Sequence, residues 1–580
     1  MKRLIISLAL CLTFVAPALA VFAQDAPYPL PAPLYILTSE GVVLAVDPDT
    51  GGQTQISSDQ QTVSDFAISP DGAWYAYRTG ANNALVVSRI DGIGGFVLEF
   101  DVLPPPVTGQ GRTIAWTYDA ARLAYIVPDG VRIAQLGREE MGDDAFRTIA
   151  GGPWVDVAWE FRSTTALIVR DEAGRQTRIA QEVDGRWQVE TLAGDPAIAQ
   201  QAIPSRLEPD GVVLASGTVI PGTAGALAFD WGPVPPPLVE GTLLPEALYY
   251  LAADEAGVAQ VWRLPPDGSP ARAVTAEAAP VIAYGVSAAT GQIAIATANS
   301  LAVTGPDAPG ADRRELAALV TENGGASLAW SPDGSLIAYH DRRGLWTVPA
   351  DGSEPPRLLL QNVLDQGDIA RIRTYFDPRW SADGARLLVG VGFYEGAGLA
   401  VADVATGAVT PLASPAGARG IWTGDGHVLT WSWSFGYEMP GLYLLDPAAP
   451  DAAPVTLLDE RYPVMDAAQA AGGRWIVLYN ATGLRGPAYA RVLIGETLSG
   501  PFEPVGDDGG GFVEVPRLAL SGEGMPAADG APVYAAGLRN LSYDQMGRAS
   551  GELVIVDMTG GATARIRTAG PVWMVRWAGQ

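Results

Sequence analysis

Short apolar runs of period two, broken by Gly, Pro, Asp and Ser, set the pattern of this chain. In "WSPDGSLIAYH", Trp330 to His340, the positions Leu336, Ala338 and His340 share one face of an extended segment, and Ile337 and Tyr339 share the other. Ser331-Pro332-Asp333-Gly334 carries the turn chemistry ahead of that segment. Pro presets φ, Asp bonds its own backbone, and Gly accepts positive φ. Ser327-Leu328-Ala329-Trp330 supplies a short apolar strand before the turn, so the stretch predicts a tight hairpin with both arms largely buried.

The same hairpin returns along the chain. "FAISPDGAWYAY" starts at Phe66, "IAWTYDAARLAYIV" at Ile114, "PRWSADGARLLVGV" at Pro378 and "GIWTGDGHVLTWSW" at Gly420. Fainter copies begin at Val155, Tyr284, Asp466 and Leu518. Successive starts lie roughly 40–50 residues apart, the period of propeller blades. After Tyr339 a polar turn, Asp341 to Gly344, leads to "LWTVPADGSEPPRLLL", which supplies a third strand, an Asp351-Gly352 turn and a fourth strand. Segments from Ala84 and Leu399 repeat the plan. Four antiparallel strands per unit, stacked radially, bury faces that no single unit could cover, so the expected fold is an all-β β-propeller.

The unit from Trp330 to Leu358 resembles the propeller repeats of TolB-like proteins and of dipeptidyl-peptidase-type propellers. The matching residues are Trp330, Ser331, Pro332, Asp333, Gly334, Ile337, Ala338, Tyr339, Arg343, Gly344, Asp351 and Gly352. The resemblance implies fold and not function, because the shared residues are turn and packing residues. TolB-like proteins carry an α/β domain ahead of a six-bladed propeller. Here no segment of helical period precedes the repeats, and the units outnumber six.

Two Pro-rich stretches divide the chain: the lead-in 24–33 and "WGPVPPPLVEGTLLPE", from Trp231 to Glu246. The units number about eleven or twelve, more than the ~4–8 blades of one ordinary ring. The expectation is two tandem propellers of four-stranded blades: 34–232 with about five blades, a linker at 233–246, and 247–580 with about seven. One very large ring is the alternative. "VWMVRW", Val572 to Trp577, reads as a first strand with nothing after it, whereas 34–57 and 247–276 lack a first strand. Closure of the C-terminal strand on 247–276 keeps two domains separate and is preferred; closure on 34–57 would tie the chain ends together.

Lys2 and Arg3 followed by an apolar run to Ala20 read as a secretory signal peptide, residues 1–23, cleaved after Ala20 or Ala23. A secreted or cell-envelope (periplasmic) protein is expected. Cys11 is the single cysteine and lies in that segment, so stability must come from burial and strand pairing. No later run is apolar enough to predict a membrane span. The net charge of −27 disfavours nucleic acid and anionic lipid as partners, and a monomer is expected.

The chain lacks a G-x-S-x-G nucleophile elbow, and after the signal segment has two histidines, His340 and His427. A Ser-His-Asp triad and a zinc site therefore have little material, and no metal or cofactor is expected. "WSPDG" lacks the spacer of a sialidase Asp box, and "VDPDTGG" and "GDDGGG" give only fragments of a calcium loop. Trp116, Trp159, Trp330, Trp380, Trp422 and Trp577 end first strands and are read as inter-blade packing.

Two stretches depart from the repeat. "ARIRTYFDPRW" sets Arg371, Arg373 and Arg379 beside Tyr375 and Phe376, and "WSWSFGYEMPGLYLL" gathers Trp431, Trp433, Tyr437 and Glu438. Arginine with aromatics is the composition of interface anchors, and it suits stacking on a sugar ring. The function read from this is a secreted, non-enzymatic scaffold binding a protein or glycan through its face loops. The alternative is a secreted hydrolase or lyase acting on glycans or peptides with channel carboxylates, which sequence alone cannot single out.

Overall fold

The computed structural model describes residues 30–578 apart from 101–111, 136–147, 192–202, 433–437, 481–489, 505–518, 521–533, 544–548, 558–562 and shorter stretches of one to four residues. The expected signal segment lies outside the described residues. Regular structure in them is strand, apart from a 3-10 turn at Ile369–Arg371.

The turn chemistry behaves as its residue types require. Ser331 Oγ donates to Asp333 Oδ1 at 2.6 Å and accepts the Leu336 N–H at 2.9 Å. Gly334 closes the turn onto Ser331 O with φ of +71°, a region that a Cβ would strain. Ser381–Asp383 and Thr423–Asp425 repeat the hydroxyl-to-carboxylate bond. From each such turn a meander grows. Ser327–Trp330, Leu336–Asp341, Gly344–Pro349 and Arg357–Gln361 pair in order, each antiparallel to the one before.

Among the described residues there are nine four-stranded sheets, one two-stranded sheet and a nine-stranded sheet whose main path holds seven strands. That path divides at the single pair Gly551–Val572 into two further units. Neighbouring units pack face to face. Ile337, Tyr339 and Val348 bury one face of their sheet against Ala294, Leu301 and Val303, while Ala338 and Leu345 bury the other against Leu387, Val389 and Ala400. The fold is a β-propeller.

In five blades a tryptophan at the end of the inner strand fastens the blade to the one before. Nε1 of Trp116, Trp159, Trp330, Trp380 and Trp422 donates to the carbonyls of Ala67, Ala115, Gly285, Ala329 and Arg379, at 3.0–3.1 Å. Each acceptor is the penultimate residue of its own inner strand or its equivalent, so one bond recurs around the structure.

Both segments that lack a first strand acquire one from far along the chain. Ala228–Trp231 pairs antiparallel with Leu34–Leu37, and the C-terminal Val572–Trp577 pairs antiparallel with Leu248–Ala253. The Pro-rich stretch after Trp231 also contributes structure: Leu238–Val239 adds in parallel to Thr563–Ile566.

At this junction Arg565, 7% exposed at its side chain, donates to Pro236 O at 2.8 Å and pairs with Asp49 at 2.9 Å and Glu552 at 3.6 Å. An Arg565→Met variant keeps the apolar stem but loses these bonds, and should be less stable by about 1–3 kcal/mol. Limited proteolysis checks it: cleavage within 233–246 should accelerate, and equal cleavage of variant and parent would remove the junction role.

Candidate functional site

In a four-stranded meander the loop that enters the inner strand and the turn between strands two and three leave at the same end. The Ser-Pro-Asp-Gly and Asp351-Gly352 turns leave at the other. The described residues between 362 and 373, the turn at 393–396 and Glu438 therefore share one face.

On that face the unit built from Thr374–Trp380, Arg386–Phe393 and Gly396–Asp403 has second and third strands of eight residues where the preceding unit has six; among the described residues Tyr534–Tyr543 and Ala549–Asp557 are longer still, at ten and nine. Two extra residues carry the hairpin roughly 7 Å further, at ~3.3 Å per residue. The tip is Phe393-Tyr394-Glu395-Gly396, with Phe393 44% and Tyr394 52% exposed.

Glycines make the long hairpin possible. Gly390 lies opposite Phe376, and a Cβ there would come within 2.4 Å of the Phe376 ring. The ring thus lies flat across the neighbouring strand, and a side chain at Gly390 would evict it.

The loop below the tip is held by blade contacts. Asn362 Oδ1 accepts the Tyr375 N–H at 2.9 Å, and Val363 and Arg373 exchange backbone bonds at 2.8 and 3.0 Å. The Arg373 guanidinium donates to Ala370 O at 3.1 Å and Ile372 O at 2.6 Å, and lies 5.9 Å from the Phe393 ring centre. Its first task is to cap its own 3-10 turn and brace the tip; Arg371 and Arg373 are both exposed.

The residues singled out from sequence thus separate. Arg371 ends the 3-10 turn, Arg373 reaches the Phe393 ring and Phe376 lies against Gly390, whereas Tyr375 packs against the core shared with the preceding blade, beside Ala338 and Leu345. Arg379 sits near the far end of its seven-residue strand, three and four residues beyond Phe376 and Tyr375 or roughly 10–13 Å at ~3.3 Å per residue, and does not join them. Trp431 is 3% exposed, packed in the core with Nε1 on Met465 O at 3.0 Å, so it is a packing residue and no platform. The reason is geometric: a strand between two blades buries both faces, so period-two alternation does not mark an outward side. Trp433 and Tyr437 lie outside the described residues. Glu438 is half-buried on the loop face; it accepts the Ser432 hydroxyl at 2.5 Å and fills the space that a Cβ at Gly417 would need. Sequence reasoning missed Phe393 and Tyr394. The available signal was the pair of aromatics at a turn flanked by Gly390, Gly392, Gly396 and Gly398.

The inner-strand carboxylates are engaged between blades. Asp230 accepts the Ile68 N–H at 3.0 Å and Arg112 NH1 at 3.0 Å. Asp156 accepts the Arg112 N–H at 3.0 Å and Arg170 at 2.7 Å. Asp65 accepts from the Phe66 N–H at 2.9 Å, the Thr113 N–H at 3.3 Å and the Thr113 hydroxyl. Asp65 and Asp156 stand at register shifts of their strands, where a displaced N–H needs an acceptor. Among the described residues no group of three or more His, Cys, Asp or Glu is arranged to hold a metal ion. No described helix is long and apolar enough to cross a membrane.

No family profile matches the chain, and no curated protein matches it. Among solved structures it is similar to a putative TolB from Agrobacterium tumefaciens, at 13% identity and TM-score 0.29, over 57% of this chain and 91% of that one. It is similar to TolB from Acinetobacter baumannii at 12% identity and TM-score 0.34, over 74% and 83%. Tricorn protease follows at 12% identity and TM-score 0.25, over 94% of this chain and 53% of the protease.

Proposed function

We propose that this chain is a secreted, non-enzymatic scaffold of two tandem propellers, 34–232 and 247–580, joined at 233–246, that binds a protein or glycan of the cell exterior through its face loops. The observation that carries the reading is the projecting tip: two large, exposed aromatics, Phe393 and Tyr394, the first of them next to the Arg373 guanidinium, on a protein otherwise rich in acid. Rigid aromatics with arginine provide large contact area at low entropic cost, as interface anchors do. The engagement of Asp65, Asp156 and Asp230 by backbone and arginine partners supports a structural use of the inner carboxylates. Export rests on the signal pattern from Lys2 to Ala23, which N-terminal sequencing of the mature protein tests.

Binding is tested by Arg371→Ala and Tyr394→Ala. Exposed changes of this kind typically cost under ~0.5 kcal/mol, so the melting temperature should stay put while capture of a partner from the cell envelope falls about tenfold or more. Unchanged capture would remove the tip from the function. Turnover on a panel of glycans and peptides would replace the scaffold reading with the hydrolase or lyase one.

A further inference from the structure

Ser327 and His340 stand opposite each other across the first hairpin of their blade. The Ser327 N–H donates to His340 Nδ1 at 3.0 Å. A backbone N–H can only donate, so Nδ1 carries a lone pair and the ring proton of the neutral imidazole sits on Nε2. Ser327 Oγ lies 2.5 Å from the same Nδ1, and by the same logic its hydroxyl is the donor there. The oxygen is left to accept, and it accepts the Asp377 N–H of the next blade at 2.9 Å. Asp377 occupies the left-handed region, φ +47°, inside the register shift between Phe376 and Arg379. Its N–H is thus turned out of the ladder and toward Ser327.

A serine, a histidine and an aspartate meet here, but the bonds are those of a tie between blades. The Nδ1 lone pair is shared with Ser327's own amide, and Ser327 Oγ is engaged by the bulged N–H. We infer that the relay Asp377 N–H to Ser327 Oγ–H to His340 Nδ1 is an acid-sensitive latch between two adjacent blades, closed while His340 is neutral and opened when it is protonated. A proton on Nδ1 would face two donors. The hydroxyl can rotate away, but the Ser327 N–H is fixed in the strand, so the ring must leave its place and Ser327 Oγ loses its orientation.

The surroundings favour the neutral ring. Burial holds the His340 imidazole below its usual range, while Asp377 and Asp341 pull the other way. Of these, Asp341 is spoken for by Arg343 and Trp346, and the residue opposite His340 on Gly344–Pro349 is the uncharged Leu345. A histidine lowered in the folded state adds stability that is present above its unfolded value, near pH ~6.5, and is lost as pH falls through the folded value. The latch adjoins Tyr375 and Phe376, so acid should loosen the base of the loop 362–373 before it unfolds the blades.

Amide hydrogen exchange on the whole protein between pH 7.5 and 4, corrected for intrinsic rates, tests this without any ligand, so it stands apart from the binding proposal. Protection of the Ser327 and Asp377 amides should fall at least about tenfold below pH 6, while Leu387 and Val389 in mid-blade hold theirs. His340→Gln, whose amide oxygen can still accept the Ser327 N–H, should abolish the pH dependence. Ser327→Ala should leave the Asp377 amide poorly protected at every pH. Constant protection of Asp377 in the parent protein, or the same acid loss in His340→Gln, would overturn the latch.

Discussion

A protein truncated after Pro571 should melt far below the full-length chain and aggregate. The truncation removes Val572–Trp577, the inner strand whose partner is Leu248–Ala253. Val572 and Trp577 are fully buried, in a cluster with Leu248, Tyr250, Leu553 and Ile555. Trp577→Ala alone should cost about 3–5 kcal/mol as a large buried aromatic replaced by a cavity. Loss of the whole strand also strips the ladder bonds of Leu248–Ala253 and exposes its edge, which then pairs with other molecules. Calorimetry and size-exclusion light scattering check this. If the truncated chain melts like its parent, the C-terminal strand does not close the structure.

An Arg78→Met substitution should be nearly as damaging, by about 3–5 kcal/mol, because it removes the main countercharge of a buried carboxylate. Arg78 is fully buried; its NH2 reaches Thr113 Oγ1 at 2.6 Å, and Thr113 in turn donates to Asp65. Burial pushes the Asp65 carboxyl above its usual range, with Arg78 and Thr113 opposing it. Burial likewise drives the Arg78 guanidinium down to about 10, with Asp65 opposing it. Each charge is therefore tolerated chiefly because the other is there. An Asp65→Asn/Arg78→Met double variant keeps the acceptor for Thr113 and removes both charges, so it should recover a large part of the loss. Urea unfolding of the single and double variants measures that coupling. Additive losses would show that Asp65 and Arg78 do not stabilise one another.

The candidate site was legible in part. "ARIRTYFDPRW" announces itself as a departure from the repeat, and Arg371, Arg373 and Phe376 lie toward one end of a blade, while Tyr375 packs into the core between blades. Arg379 is close to them in sequence, but the strand carries it toward the opposite end. Trp431 shares an aromatic-dense stretch with Glu438, yet its ring serves the core and its Nε1 serves Met465. The Ser327–His340 contact could have been counted back from the turn, since Trp330 opposite Ile337 puts Ser327 opposite His340. What counting could not supply was Asp377, which reaches Ser327 only through a bulge in another blade.

By itself the sequence determined everything that acts over a few residues. Ser-Pro-Asp-Gly dictates a turn, alternation dictates the strands on either side, and the terminal tryptophan marks where one blade meets the last. These follow from φ preferences, side-chain-to-backbone bonds and period-two burial, all of which are local. The tertiary structure decided between the two open segments: Val572–Trp577 completes Leu248–Ala253, the partner the sequence already favoured, and Ala228–Trp231, which no sequence signal marked, completes Leu34–Leu37. It also decided that Leu238–Val239 of the Pro-rich stretch joins a sheet. Open strand edges offer the same N–H and C=O groups wherever they occur in a chain. Which two edges meet is settled by the packing of whole blades around them.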